Sequence, residues 1–111
     1  MTYEEMQAKL KSRLKPGRYV HSLGVAETAV FPAERFQADV EKARIAGLLH
    51  DCARQYPNEQ LASEAERRGI RIGQVERAMP LLLHAYIGAS LIREEYGIDD
   101  EEIARAVYRH T

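Results

Sequence analysis

The chain has 111 residues, enough to bury one hydrophobic core without disulfide bonds or a structural metal ion. Its apolar fraction of 45% and charged fraction of 30% are those of an ordinary globular protein and exclude an intrinsically disordered chain. The 16 basic residues nearly balance the 17 acidic ones, so the net charge offers no general attraction to nucleic acid or to an anionic membrane.

The chain begins with two predicted helices. Thr2 and Glu5 have the spacing of a capping box, and the helix that they start ends at Pro16-Gly17. A second helix begins near Arg18, and Pro32 is expected to kink or end it, because proline lacks a backbone donor and clashes with the preceding turn. Phe36 lies just beyond it. The apolar stripes of the two helices consist of Met6, Leu10 and Leu14, and of Val20, Leu23, Ala26 and Val30.

Three further helices are predicted in the middle of the chain. Asp39 is the predicted N-cap of the third helix, which is apolar on most sides and therefore central. Pro57 suits the first turn of a fourth helix, and Gly69 lies where a left-handed residue would end it. The mixed segment from 70 to 80 predicts a short helix around residues 75–79.

Two strong helical patterns follow. The first covers residues 81–96 and is closed by Gly97, and the second begins with a capping box formed by Asp99 and Glu102. No segment alternates apolar and polar residues for long enough to predict a strand. The predicted fold class is therefore all-α, with residues 1–111 forming one domain.

The cysteine content and the amino terminus predict the location of the protein. The single cysteine, Cys52, cannot form an intrachain disulfide bond, and the first residues have neither the basic start nor the apolar stretch of a signal peptide. No window reaches the roughly 18 consecutive apolar residues of a membrane span. These features predict a cytoplasmic protein with no membrane and no nucleic acid among its partners.

The most informative feature is the distribution of four histidines over four predicted helices. A lone histidine on an apolar helix face is more often a hydrogen-bonded core residue than a metal ligand. When helices pack as a bundle, however, inward-facing histidines can meet a carboxylate at the centre and form a metal site. Imidazole and carboxylate ligands suit zinc, manganese and iron. The four residues are His21, His50, His84 and His110.

The strongest local signal is the histidine and aspartate pair at the end of the third predicted helix. Adjacent helical residues do not share a face, so an ion bound by His50 and Asp51 would lie between their directions and need ligands from other helices. The spacing alone leaves two alternatives open. The pair forms a metal site, or His50 caps the helix and Asp51 begins a turn.

Four segments in a fixed order extend this pattern: RYVHSLGV (18–25), AGLLHDCAR (46–54), LLH (82–84) and YRHT (108–111). In this order they resemble the motifs of the HD superfamily of metal-dependent phosphohydrolases. More closely, the chain from residue 3 to 111 resembles the YqeK group, the symmetrical bis(5′-nucleosyl)-tetraphosphatases. The resemblance implies an HD-domain helical bundle that hydrolyses diadenosine tetraphosphate to two ADP, with iron or manganese as cofactor and one or two ions bound.

The resemblance also implies roles for individual residues. His21, His50 and Asp51 match the ligands of a first metal ion, with Asp51 placed to bridge two ions. His84 and His110 match the ligands of the second ion. Two ions about 3.5–4 Å apart can lower the pKa of a shared water and stabilise charge on the phosphoryl group. The nucleophile would then be this water, and no covalent enzyme intermediate is needed.

Three arginines beside these motifs are candidates for binding phosphate, because guanidinium groups can hold phosphate oxygens bidentately. Arg54, which stands where the family usually has lysine, is predicted to act with Asp51 in catalysis. Arg18 and Arg109 are predicted to bind substrate, and Thr111 is a further candidate. The alternative for each arginine is a solvated or helix-end charge, which is favoured for Arg109 and disfavoured for Arg54.

The chain departs from the family pattern in several ways. The family continues into a further helix with a second aspartate ligand that this sequence does not include, so weaker metal affinity and impaired turnover are expected. Exposed apolar surface on the last helix would favour self-association as a homodimer. Cys52 stands where the family has an aliphatic residue and is expected to be a small buried hydrophobe. Two alternatives remain open: an HD phosphohydrolase of another nucleotide, or a non-catalytic metal- or nucleotide-binding module.

Overall fold

The computed structural model describes residues 1–28, 36 and 39–109. Over these residues the chain forms seven α-helices and no strand, which confirms the all-α class, and none of these helices is long and apolar enough to cross a membrane. The predicted effect of Pro32 on the second helix lies outside the described residues. The helices are α1 Tyr3–Arg13, α2 Pro16–Thr28, α3 Val40–Leu49, α4 Leu61–Arg67, α5 Gln74–Ala78, α6 Leu81–Tyr96 and α7 Glu101–Tyr108.

Polar caps predicted from the sequence start α1 and α3. The backbone N–H of Thr2 donates to Glu5 Oε1 at 2.7 Å, and the N–H of Glu5 donates to Thr2 Oγ1 at 3.1 Å, so the capping box is complete. Asp39 accepts from the N–H of Lys42 at 3.2 Å. Gly97 follows the last residue of α6 and has a left-handed φ of +65°, so it closes this helix as predicted.

The predicted cap of α7 is wrong by one residue. Asp100, not Asp99, precedes the first helical residue, and its Oδ1 accepts from the N–H groups of Glu102 at 2.8 Å and Ile103 at 3.1 Å. Asp100 Oδ2 also lies 2.8 Å from Lys42 Nζ of α3. A carboxylate at position 100 therefore both caps α7 and ties it to α3, which position 99 cannot do.

The second helix also differs from its prediction. It begins at Pro16 rather than near Arg18, because a proline at the first helical position lacks a donor that has no partner there anyway. Val20 was predicted to belong to the apolar stripe, but its side chain is 66% exposed. Two other members of the predicted stripe are confirmed, since Ala26 is buried and Leu23 packs against the core; the buried residues of α2 are Ser22, Val25 and Ala26.

The helix α3 lies at the centre and packs against α1, α2 and α7. Its approach to α2 depends on Gly47, because a Cβ atom there would lie 3.0 Å from the Cα of Ala26 and 3.2 Å from its backbone N. Phe36 is buried in the same core. A second apolar cluster joins α4 to α6 and consists of Ala53, Leu61, Ala65, Leu83 and Ile87.

Candidate metal centre

The close contact between α2 and α3 brings two of the predicted ligands together. The imidazole rings of His21 and His50 have centroids 5.5 Å apart, and Nε2 of His50 lies 3.4 Å from Oδ2 of Asp51. Each of the three residues offers one ligand atom, and these atoms all lie within 4.8 Å of one another. The first ligand set inferred from the resemblance is therefore assembled at one point.

The hydrogen bonding of His50 fixes which of its nitrogens can coordinate. Its Nδ1 lies 2.7 Å from the carbonyl oxygen of Gly47, and a carbonyl can only accept, so Nδ1–H is the donor. In the neutral imidazole, Nε2, which faces Asp51, is then the nitrogen that carries a lone pair. Such a backbone contact is the usual second partner of a metal-binding histidine. A neutral imidazole beside a carboxylate fits a divalent metal ion.

The three residues differ in exposure. His50 and Asp51 are each 7% exposed, whereas His21 lies at the surface. An ion held by this group would rest on a buried floor and have one ligand on the solvent side. The site is consequently accessible to a ligand from outside without any helix moving.

Two guanidinium groups flank Asp51. Arg18 Nη1 lies 3.9 Å from Asp51 Oδ2, and Arg54 Nε lies 3.9 Å from Asp51 Oδ1. Arg54 is placed by a short 3₁₀ helix, Cys52–Gln55, in which its N–H donates to the Asp51 carbonyl at 2.9 Å. Both side-chain distances are too long for direct hydrogen bonds. The two cations therefore lie beside the carboxylate and keep donors for another anion.

A cavity of about 530 Å³ lies beside this group: Arg18 and Arg54 line it, whereas His21, His50 and Asp51 do not. Four of its lining residues are cationic and one, Glu59, is acidic, so the cavity favours an anionic ligand. Three polar atoms of lining side chains are buried without a hydrogen-bond partner among the described residues, which is costly unless a ligand or water pairs with them. The lining residues are Arg13, Lys15, Arg18, Arg54, Gln55, Tyr56, Pro57, Asn58, Glu59 and His84, and the three atoms are Arg54 Nε, Gln55 Oε1 and His84 Nδ1.

His84, predicted to bind a second metal ion, lines this cavity but is not part of the three-residue group. It is 4% exposed, and burial followed by the positive charge of Arg54 lowers its pKa, while Asp51 and the nearby backbone of Ala53 raise it. The net shift favours the neutral imidazole, the form that binds metal. Its assignment to a second ion stays a prediction.

Arg109 does not line the cavity beside Asp51. Arg109 is exposed and lines a cavity with Tyr86 and Tyr108 that shares no residue with the cavity beside Asp51. His110 and Thr111 lie outside the described residues. Cys52 is fully buried, and burial together with Asp51 raises its pKa to about 12, so it is the inert buried thiol that was predicted.

Several cavity residues were missed by the sequence reasoning. Arg13 is the last residue of α1, where a basic residue is usually explained by the helix dipole, and Lys15 lies in the short connection to α2. Gln55 and Tyr56 follow the ligand motif in a segment that was not predicted to be helical. Because Gln55 and Tyr56 lie within five residues of Asp51 in the sequence, they could have been predicted to lie near the site.

The sequence is similar to a known family model and to known proteins. The sequence model of the HD domain matches residues 18–111. The symmetrical bis(5′-nucleosyl)-tetraphosphatase of Bacillus subtilis (strain 168) is 40% identical over 111 residues, covering 100% of this chain and 59% of that protein. The protein of the same name from Staphylococcus aureus is 34% identical over 123 residues, covering 100% of this chain and 57% of its own length.

A solved structure shows the same fold. It is described as a predicted HD superfamily hydrolase involved in NAD metabolism from Clostridium acetobutylicum. It matches with a TM-score of 0.88 and 40% identity, covering 100% of this chain and 59% of that one. This chain thus spans less than two thirds of the length of the proteins it matches.

Proposed function

The chain belongs to the HD-domain family, and we propose that it carries the metal centre and a substrate cavity of a phosphohydrolase that cleaves dinucleoside tetraphosphates symmetrically. The observation that carries this proposal is the His21, His50 and Asp51 group beside a cavity with four cations. The names of the Bacillus and Staphylococcus relatives support the choice of reaction.

Each proposed ligand has a chemical reason. His50 offers Nε2, Asp51 offers a carboxylate oxygen, and His21 completes the group from α2. We propose iron or manganese as the ion, with His84 and His110 as ligands of a second ion. When bound, the metal supplies Lewis acidity that lowers the pKa of water and stabilises charge on the phosphoryl group.

The arginines determine where the substrate lies. Arg18 and Arg54 flank Asp51 and are proposed to hold oxygens of the two inner phosphates. The bridging oxygen between these phosphates then lies over the ligand group. Water attacks one inner phosphorus atom, its oxygen forms the new P–O bond, and the bridging oxygen leaves with the other half. Each half is a nucleoside diphosphate, which accounts for symmetrical cleavage.

The location and assembly of the protein remain proposals. We propose the reducing cytoplasm, because the one cysteine is a buried thiol. Self-association through α7 would have to use its exposed residues, since Ile103, Ala104 and Val107 are buried within the chain. A single domain over residues 1–111 is likewise proposed.

The proposed reaction is tested by its products. The chain is incubated with diadenosine tetraphosphate and manganese, or with ferrous iron under anaerobic conditions, and the nucleotides are separated by chromatography. We expect ADP as the sole nucleotide product. Formation of ATP with AMP would contradict symmetrical cleavage. Bound metal without hydrolysis of any nucleotide in a substrate panel, both in this chain and in one extended by the family's further helix, would favour the non-catalytic module.

A further inference from the structure

The cavity beside Asp51 has two chemically different parts. Its cationic part comes from the end of α1, the start of α2 and Arg54. Its uncharged part is a continuous run of residues 55–58, which follows Arg54 directly and contains an amide, an aromatic ring, a prolyl ring and a second amide. A ligand with an anionic end and a neutral, flat end would match both parts.

The side chain of Gln55 carries an unused hydrogen-bonding atom in the uncharged part. Its Oε1 is buried and has no hydrogen-bond partner among the described residues. Leaving such an atom unpaired costs about 1–3 kcal/mol, so the position is suited to a ligand that supplies a donor. A glutamine amide presents an acceptor beside a donor, which is the pattern that pairs with the edge of a nucleobase.

The neighbouring aromatic wall is held in place by a buried arginine. The side chain of Arg68 is 2% exposed, and its Nη2 donates to the hydroxyl of Tyr56 at 3.3 Å. The same guanidinium donates to Ser90 Oγ at 3.0 Å and lies 3.1 Å from Glu64 Oε1. Tyr56 is therefore tied to α4 and α6. Tyr56 also packs against both apolar clusters and lines the cavity, so it is a fixed residue that can contact a base at low cost in entropy.

We propose that residues 55–58 form a nucleobase subsite, with Gln55 as the residue that pairs with the base edge and Tyr56 with Pro57 as its apolar wall. This inference rests on the proposed function, because that function makes the substrate a nucleotide. It adds to that function an orientation for the substrate: phosphates lie toward Arg18 and Arg54, and one base lies toward Gln55.

The test compares two ligands that share phosphates and differ in the base. Dissociation constants of ADP and inorganic pyrophosphate are measured by calorimetry with manganese present, for the wild type, Gln55→Leu and Gln60→Leu. Gln60 is an exposed glutamine that does not line the cavity, so it is the matched control. Circular dichroism checks that each variant is folded. Gln55→Leu removes an unpaired buried amide and is expected to fold normally.

We expect Gln55→Leu to weaken ADP binding about tenfold and pyrophosphate binding less than about twofold, with Gln60→Leu changing neither. Equal losses for both ligands, no loss, or a wild type that binds ADP no better than pyrophosphate would overturn the subsite. The two proposals fail separately. A selective loss of ADP without hydrolysis of diadenosine tetraphosphate removes only the reaction, whereas hydrolysis with an unchanged KM in Gln55→Leu removes only the subsite.

Discussion

The candidate ligand group of His21, His50 and Asp51 and the wall of the neighbouring cavity at Tyr56 are held in place by different forces. His21 and His50 are brought together by backbone packing between α2 and α3, where Gly47 leaves no room for a side chain. The wall at Tyr56 is instead held by hydrogen bonds and ion pairs around Arg68. Packing against backbone cannot be adjusted, whereas a polar network can be weakened one bond at a time. A single substitution in the α2–α3 contact should therefore displace the whole ligand group. Substitutions in the network around Arg68 should each weaken the wall by a part.

The largest effect is expected from removing the carboxylate of the ligand group. Asp51→Ala should weaken manganese binding at least about 100-fold, because it removes a ligand rather than the support of one. Calorimetric titration with manganese measures this loss. Asp99→Ala, an exposed aspartate that caps no helix, is the control and should bind as the wild type does. Equal metal content in Asp51→Ala and the wild type would refute the ligand set.

Cys52→Ala should leave metal binding almost unchanged.

A methyl group between α2 and α3 tests the packing half of the comparison. Gly47→Ala places a Cβ 3.0 Å from Ala26 Cα, so the helices must separate, at a cost of about 1–3 kcal/mol in the free energy of unfolding. Metal affinity should fall with it, because His21 moves away from His50. Gly24→Ala on α2 meets nothing within 4 Å and should be neutral or slightly stabilising. Unchanged stability and metal affinity in Gly47→Ala would show that the distance between α2 and α3 does not depend on this contact.

The polar half is tested by two adjacent arginines. Arg67 and Arg68 both pair with Glu64 and Glu94, but the side chain of Arg67 is 55% exposed and that of Arg68 is 2% exposed. Arg68→Met should lower the free energy of unfolding by about 1–3 kcal/mol, and Arg67→Met should lower it much less, because solvent screens the ion pairs of an exposed side chain. Urea denaturation measures both. Similar losses in the two variants would mean that burial does not distinguish them.

The affinity for manganese separates this effect from the packing effect. Arg68→Met should leave it within about twofold of the wild type, because the arginine supports Tyr56 and is not one of the three candidate ligands. A loss of metal binding as large as that of Gly47→Ala would show that the network also supports the ligand group.

Acid should loosen the polar region before the packed one, and this is the smallest expected effect. The hydrogen bond from Arg67 lowers the pKa of Glu64, burial raises it, and the charge of Arg67 lowers it further. Because the folded pKa lies below the unfolded value of about 4.5, the stabilisation is present above that pH and is lost as the pH falls through the folded pKa. The effect should be below about 1 kcal/mol.

Amide hydrogen exchange along the acid titration tests this order. Protection in α4 should fall before protection in the α2–α3 contact, and Glu64→Gln should remove the difference. Simultaneous loss of protection in both regions would mean that the molecule opens as one unit at low pH.

The sequence predicted those parts of the fold that depend on local chemistry. Thr2, Asp39, Gly69 and Gly97 act as the caps and helix ends that their types indicate, because capping involves residues at most four positions apart. The choice between Asp99 and Asp100 could not be made locally. Asp100 is also paired with Lys42 on α3, a contact that exists only after folding.

The candidate site also has one part that was predicted and one part that depends on tertiary packing. The prediction that His21 lies with His50 and Asp51 came from the resemblance to a known family. In that family the helix packing that brings these positions together is known, so it did not have to be deduced from the sequence. The cavity wall could not be predicted, because it depends on the 3₁₀ helix at Cys52–Gln55 and on a buried arginine. Arg68 at the end of a charged helix has the sequence appearance of a solvated residue. Its burial results from tertiary packing against α6.

The exposure of His21 has a consequence for how the ion is acquired. A ligand at the surface lets water and small chelators reach the coordination shell, so exchange with dissolved metal does not require unfolding. Donor type alone discriminates poorly between manganese, iron and zinc. Occupancy should then depend on the abundance of each ion together with the rise in affinity from manganese through iron to zinc. Dialysis against a chelator should empty the site while the helices stay folded.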